Sequence, residues 1–331
     1  MITPDAEAAL VLPAVAPAPR PVAAPPAAPA KRRGTAPADR AVARAGMLFV
    51  APALVVIFGF FLLPVLAAFA LSFTDFDLYA LGDPSSVRAV GVGNYATLLA
   101  DPEFWAALRN TLYFVFVGGP LTVALSLGAA LLLTAKVTRL KGIFRTVLFS
   151  PVVTTLVAVA LVWRYLLHTR YGLLNAGLGA IGIGPIDWLG DPAWAMPSLI
   201  LLAVWKNFGY TMLVFVAGLA AVPEELYEAA RLDGAGTRAL FRHVTLPSIA
   251  PTFLFVGVIT AIGYFQLFAE PYVMTQGGPA GATVSVVYLM FTQGFKWWSL
   301  GYASAIAFVL FALMLAGTAL QLRLQKRADA R

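Results

Sequence analysis

The chain of 331 residues contains no cysteine. That removes disulfides, thiol nucleophiles and cysteine metal sites together, and it leaves the redox compartment open. Histidine is nearly as scarce: the only two, His168 and His243, stand far apart without companion ligands, so no metal site is expected. No phosphate loop of the form G-x-x-x-x-G-K-[ST] occurs, and Gly234-Ala235-Gly236 lacks the lysine and the preceding strand that such a cradle needs. The serines have no nucleophile-elbow context and the carboxylates lie mostly in loops, which argues against a hydrolase. The chain is therefore expected to be no enzyme and to bind no cofactor of its own. The most telling shortage is charge. Charged residues make up 12% of the chain, hydrophobic residues 60%, and mean hydropathy is +0.82. Soluble domains average about 25% charged, so this composition belongs to a polytopic membrane protein.

Residues 1–45 are rich in Ala and Pro, carry the basic cluster Lys31-Arg32-Arg33, and hold no continuous apolar core of the kind a secretory signal requires. They are expected to form a disordered cytoplasmic tail. Six apolar runs follow, near Gly46–Leu71, Thr111–Ala135, Thr146–Leu167, Ser198–Val222, Thr252–Val273 and Tyr302–Leu322, each close to the roughly 20 residues that cross a bilayer. Six spans place both termini on one side. Six Lys and Arg lie in the N-terminal tail, four between Lys136 and Arg145, three between spans four and five, and four in the tail 323–331, seventeen in all. Arg88, Arg109, Arg170 and Lys296 are the only four in the alternate loops. Positive charge marks the cytoplasm, so both termini and the segment 223–247 are expected inside a bacterial-type inner membrane. The formal charge of +7 thus follows topology and does not imply nucleic acid.

The segment 223–247, PEELYEAARLDGAGTRALFRHVTLP, is polar between two apolar runs. Pro223, then Glu224 and Glu225 at a positive helix end, predict a helix from about Glu224 to Asp233 that stops at Gly234. Thr237 is expected to cap a second helix through about Val244, with Leu246-Pro247 forcing a break. Leu226, Ala229 and Ala230 share one stripe of the first helix, with two of the three small enough for another surface to approach.

At this point a family resemblance emerges. Glu228-Ala229-Ala230, Gly234 and Val244-Thr245-Leu246-Pro247, at intervals of three and nine residues, resemble the EAA loop of ABC importer permeases, with Val where that pattern has Ile. Thr275-Gln276-Gly277-Gly278-Pro279 with Thr283, and Trp205, Gly209, Ala217-Gly218-Leu219 and Gly301-Tyr302-Ala303-Ser304-Ala305, resemble the carbohydrate-type members. The likeness covers about residues 45–325. It implies an all-α transmembrane fold, a six-helix polytopic bundle of the ABC type I importer permease kind in 46–322. It also implies coupling to an ATPase through Glu228, Ala229, Ala230, Asp233, Gly234, Leu246 and Pro247. The partners implied are a second permease subunit in a heterodimer, two ATP-binding subunits that hold ATP-Mg, and an extracytoplasmic sugar-binding protein, all at the lipid bilayer.

Charges inside spans are costly and read as functional by default. Arg164 and Glu270 lie near outer span ends, where anchoring or an ion pair would account for them; Lys206 lies about 12 Å below its span end at the helical rise. Asn207, Tyr210 and Thr211 follow Lys206 at helical spacings, and Gly263, Gln266 and Glu270 share a face of span five. With Tyr264, the set Lys206, Asn207, Tyr210, Gln266 and Glu270 supplies the planar hydrogen-bonding groups and aromatic faces that hold sugars, and is expected to line the substrate path. The alternatives are polar contacts that only hold the bundle together, an ion-coupled secondary transporter, a membrane anchor, and an importer permease for glycerol-phosphate or a polyamine.

Overall fold

The computed structural model describes residues 37–83, 85, 87–135 and 140–329; the expected tail 1–45 and the basic turn after Ala135 lie largely outside these. The described elements are α1 (Pro37–Ile57), α2 (Leu63–Leu71), α3 (Gly93–Ala100), α4 (Pro102–Thr134), α5 (Lys141–Val153), α6 (Leu156–Leu166), α7 (Leu173–Ala180) and α8 (Pro192–Ala220). They continue with α9 (Glu224–Leu232), α10 (Thr237–Leu240), α11 (Leu246–Ser248), α12 (Ala250–Phe265), α13 (Ala269–Met274), α14 (Val286–Phe291) and α15 (Leu300–Asp329). Five helices are long and apolar enough to cross a membrane: Arg44–Leu71, Pro102–Thr134, Pro192–Ala220, Ala250–Met274 and Leu300–Gln325. The bent pair α5–α6 makes a sixth if counted as one span. The chain divides into two compact units, 1–60 and 61–331. In the first, the described part is the helix α1, none of whose described side chains is buried. All that follows concerns the second.

Its centre is α4 against α8, with α12 on α4, α5 on α8, and α13 on α6. Apolar surface is buried in three clusters, around Phe114 and Leu199, around Phe215 and Val256, and around Phe104 and Leu289. Two small residues set the approach distances. A Cβ on Gly209 would fall 2.3 Å from Leu148 O, and one on Gly118 would fall 2.5 Å from Tyr264 Cε1, so α5 and α12 sit closer than any larger residue allows.

Three expectations need correction. The second apolar run, expected from Thr111, belongs to a helix that starts nine residues earlier: Asp101 accepts from Glu103 N at 2.8 Å, Pro102 fits the first turn, and nothing between Leu108 and Thr111 interrupts the ladder. The third apolar run is not one rod, because α5 and α6 meet at 99° across Thr154-Thr155. The fifth is interrupted at 266–268, between α12 and α13.

The loops at 73–90 and 275–284 are tied by local polar bonds. Asp75 pairs with Arg88 at 2.8 Å beside the bridge Thr74–Ala89, and the Arg88 backbone N–H and guanidinium hold its carboxyl below the usual aspartate range. Thr275-Gln276-Gly277-Gly278-Pro279 is a tight turn closed by Thr283, whose Oγ1 meets Thr275 Oγ1 and Gly278 O, each at 2.7 Å. Asn110 on α4 donates to Gly281 O and Val284 O at 3.0 Å, anchoring this turn to the central helix.

Candidate functional site

A cavity of about 620 Å³ opens between α4, α8, α12 and α13, within the size range of small-molecule sites. Asn207, Tyr210 and Thr211 reach it from α8; Gly263, Tyr264, Gln266 and Glu270 reach it from the interrupted span; Phe114, Leu156 and Phe268 supply apolar wall. Five of the six side chains expected on the substrate path, Asn207, Tyr210, Tyr264, Gln266 and Glu270, therefore share one space.

Each is placed by identifiable packing. Tyr264 is buried, its hydroxyl 2.5 Å from Thr122 Oγ1 and its ring 4.9 Å from Phe114. Asn207 donates from Nδ2 to Ala203 O at 2.9 Å, one turn back on α8. Gln266 and Glu270 owe their positions to the break. Pro271 carries no N–H, so a continuous helix would leave Leu267 O without its usual partner. Ser285 Oγ supplies one at 2.5 Å and itself accepts from Tyr288 N, which fixes the gap and turns Glu270 inward. Glu270 is only 8% exposed, so it does not reach outward to the interface. It forms no ion pair with Arg164 or any other described residue.

Lys206, the sixth, does not line the cavity. Its ammonium donates to Pro151 O at 2.7 Å, Thr154 O at 2.9 Å and Val152 O at 3.1 Å. These carbonyls end α5, where no further turn exists to satisfy them and where the helix dipole favours a cation. Lys206 thus caps a helix on which it does not lie, and its three protons hold the bend that forms one wall of the cavity beside Val152 and Leu156. Sequence reasoning found the residue and missed its partners, as it missed Thr122 and Ser285, which no local pattern distinguishes from other hydroxyls.

The second candidate site is α9 and the turn behind it. The helix covers Glu224–Leu232, as expected. Gly234 adopts φ +81°, Gly234 N donates to Arg231 O and Ala235 N to Ala230 O, the paired bonds of a Schellman cap. Thr237 is not the cap of the second helix; Gly236 occupies that position, and the break expected at Leu246-Pro247 falls two residues later, at Ile249. A π turn over Phe241–Thr245 leads directly into α11, with α12 beyond Ile249. Tyr227 reaches across, its hydroxyl 3.1 Å from the buried Thr245 Oγ1, and staples α9 to that run. Glu228, Ala229, Asp233, Gly234, Leu246 and Pro247 are exposed, Ala230 is half-buried, and Leu226 and Leu232 stand 47% and 89% exposed. An apolar and acidic face this open is built to be covered.

Together the helical bundle, the polar cavity and the open loop helix define a multi-pass membrane permease. Comparison with known proteins gives the family: the model for the binding-protein-dependent transport system inner membrane component matches residues 123–330. The lactose transport system permease protein LacF of Rhizobium radiobacter is 36% identical over 274 residues, spanning 81% of this chain and 90% of that protein. The arabinooligosaccharides transport system permease protein AraP of Bacillus subtilis is 34% identical over 85% of this chain and 88% of its own. The trehalose/maltose transport system permease protein MalF of Thermococcus litoralis is 33% identical over 85% and 93%. A bacterial ABC transporter involved in the import of the acidic polysaccharide alginate has the same fold, with a TM-score of 0.72 over 87% of this chain and 98% of that one at 21% identity. The chain belongs to the binding-protein-dependent transport system inner membrane component family. The ion-coupled and anchor alternatives fall with that membership.

Proposed function

We propose that the chain carries a neutral or weakly charged sugar inward as one of two permease subunits of an ATP-driven importer. The cavity is the observation that carries this reading. Amide groups at Asn207 and Gln266, hydroxyls at Tyr210 and Thr211, and the rings of Phe114 and Phe268 combine the two surfaces that a sugar presents, hydroxyl edge and C–H face. The relatives named for lactose, arabinooligosaccharides and trehalose/maltose support it. Two ATP-binding subunits holding ATP-Mg would dock on α9 and the adjoining Leu246-Pro247, and a binding protein would deliver the sugar from outside. Closure of the ATPases would push α9 and open the cavity outward. This chain itself would hold no cofactor, and Lys206 would act on the wall and not on the solute.

Asn207→Leu or Gln266→Leu is expected to cut uptake of the transported sugar about tenfold, the loss of one or two hydrogen bonds, while the complex still assembles. Uptake into cells or proteoliposomes measures this. Unchanged kinetics in both variants would remove the cavity from the path.

Orientation is tested with single cysteines, which the native chain lacks. Gly236→Cys and Gly184→Cys each project into open space and disturb no neighbour. A membrane-impermeant maleimide added outside should label position 184 in intact cells and position 236 only after lysis. Labelling of both from one side would overturn the cytoplasmic placement of α9 and of the termini.

A further inference from the structure

We infer that Glu270 makes the cavity a charge filter, admitting neutral and cationic sugars and rejecting acidic ones. The inference rests on the reading of this cavity as the solute path and names the class of solute it passes. Glu270 and the basic residue nearest to the cavity in sequence, Lys206, meet opposite fates. The ammonium turns away, with one proton on each of three α5 carbonyls, and no lysine, arginine or histidine lines the cavity. The carboxyl turns in. It lines the cavity, is 8% exposed, and makes no hydrogen bond or ion pair with the side chain of another described residue. The other titratable groups that face the same space are the phenols of Tyr210 and Tyr264.

Glu270 is therefore the one acidic side chain among the residues that line the cavity, and no basic side chain lines it beside Glu270. A sugar with free hydroxyls brings donors to both carboxylate oxygens, and an amino sugar adds a cation, so either satisfies the group on entry. A uronate or sulfonate brings a like charge into a partly desolvated space, where repulsion between charges a few ångströms apart is several times its value in water. The geometry also explains why Glu270 is kept inward: Ser285 holds the break that aims it, and this orientation contributes nothing to packing that a leucine would not supply better.

The test uses the absence of native cysteine. Gly263 lines the cavity, and a side chain there meets no atom within 4 Å, so Gly263→Cys places one thiol in the same space as Glu270. In the assembled transporter in membranes, this thiol is reacted with methanethiosulfonates carrying either a trimethylammonium or a sulfonate group. Rates are normalised to those of a small thiol in solution. The cationic reagent is expected to be favoured by at least about tenfold, because the two reagents feel the same potential with opposite sign. Adding Glu270→Gln should bring the ratio near one, and Glu270→Asp should keep it. A normalised ratio near one in the Gly263→Cys protein itself would show the carboxyl to be uncharged and would overturn the inference whether or not the double variants assemble. A ratio that favours the cation and is unmoved by Glu270→Gln would overturn it as well. The sugar reading is separated by a second measurement, uptake of lactose and of its acidic congener lactobionate by the original chain and by Glu270→Gln. A rise of about tenfold in the ratio of acidic to neutral uptake in the variant supports the filter. An unchanged ratio overturns it and leaves the cavity as the path, whereas full lactose uptake after complete modification of Cys at 263 overturns the path itself.

Discussion

Replacing Lys206 by methionine is expected to lower markedly the thermal stability of the purified complex. The side chain keeps its length and loses its three donors, so Val152 O and Thr154 O are left facing a thioether and Pro151 O keeps only its bond from Thr154 Oγ1, at 2.7 Å. Hydrogen bonds to a charged group contribute about 1.5–3 kcal/mol each, and each orphaned buried acceptor costs a similar amount. The ammonium is only half-buried and water replaces part of what is lost, which brings the net expectation to about 3 kcal/mol. Lys206→Gln retains two donors and should fall between. The measurement is the thermal midpoint of the purified permease complex, together with protease sensitivity at Thr154-Thr155. A midpoint within a degree of the original chain would mean that the bend does not depend on Lys206 and that the residue is free for another role.

The second large effect is expected at the exposed loop helix. Gly234 stands at φ +81° in open space, so a side chain there meets no neighbour and costs only the left-handed backbone, about 1 kcal/mol. Gly234→Glu should therefore leave the bundle intact and act on docking alone. Glu228 is exposed on the same helix with its charge turned to solvent, and Glu228→Lys reverses it without touching the cap bonds of Gly234 and Ala235. Either variant is expected to reduce sugar-stimulated ATP hydrolysis by tenfold or more while the permease still inserts and the two permease subunits still associate. The readouts are co-purification of the ATPase and hydrolysis in proteoliposomes. Full association and full stimulation in both variants would show that α9 is not the docking element.

What could be read directly from the chain, and what could not, follows from the range of the interactions. Apolar runs depend on composition, so five of the six appear as long apolar helices, three of them within three residues of their expected bounds. The helix α9 is equally local: Pro223, two glutamates and Gly234 specify both ends within twelve residues. The bend at Thr154-Thr155 was hidden because its satisfying partner, Lys206, lies on another helix, and an apolar run carries no sign of carbonyls that a distant ammonium will accept. The break at 266–268 was more accessible. Pro271 inside the fifth run signals a missing N–H, although only the fold shows that Ser285 fills the vacancy and that Gln266 and Glu270 meet across an interruption and not along one face. Asn110 and Thr122 gave no signal at all, being ordinary polar residues until the loops and Tyr264 arrive beside them.

The joint behind α9 has a mechanical consequence. Ile249 is the single non-helical residue between α11 and α12, and its backbone bonds bridge the gap: Ile249 N donates to Thr245 O and Phe253 N to Ile249 O. Ile249 is itself fully enclosed by the core around Phe215. With Tyr227 clamped to Thr245 at one end and the sixteen residues of α12 extending about 24 Å beyond, the assembly behaves as a crank on a stiff shaft. A sideways tilt imposed on α9 passes through this one-residue joint toward the far end of the shaft, where the helix stops at Phe265 and Gln266 and Glu270 hang over the cavity. The line thus has two breaks, at Ile249 and at 266–268, and the second is the one where a few degrees of rotation change which groups a solute meets.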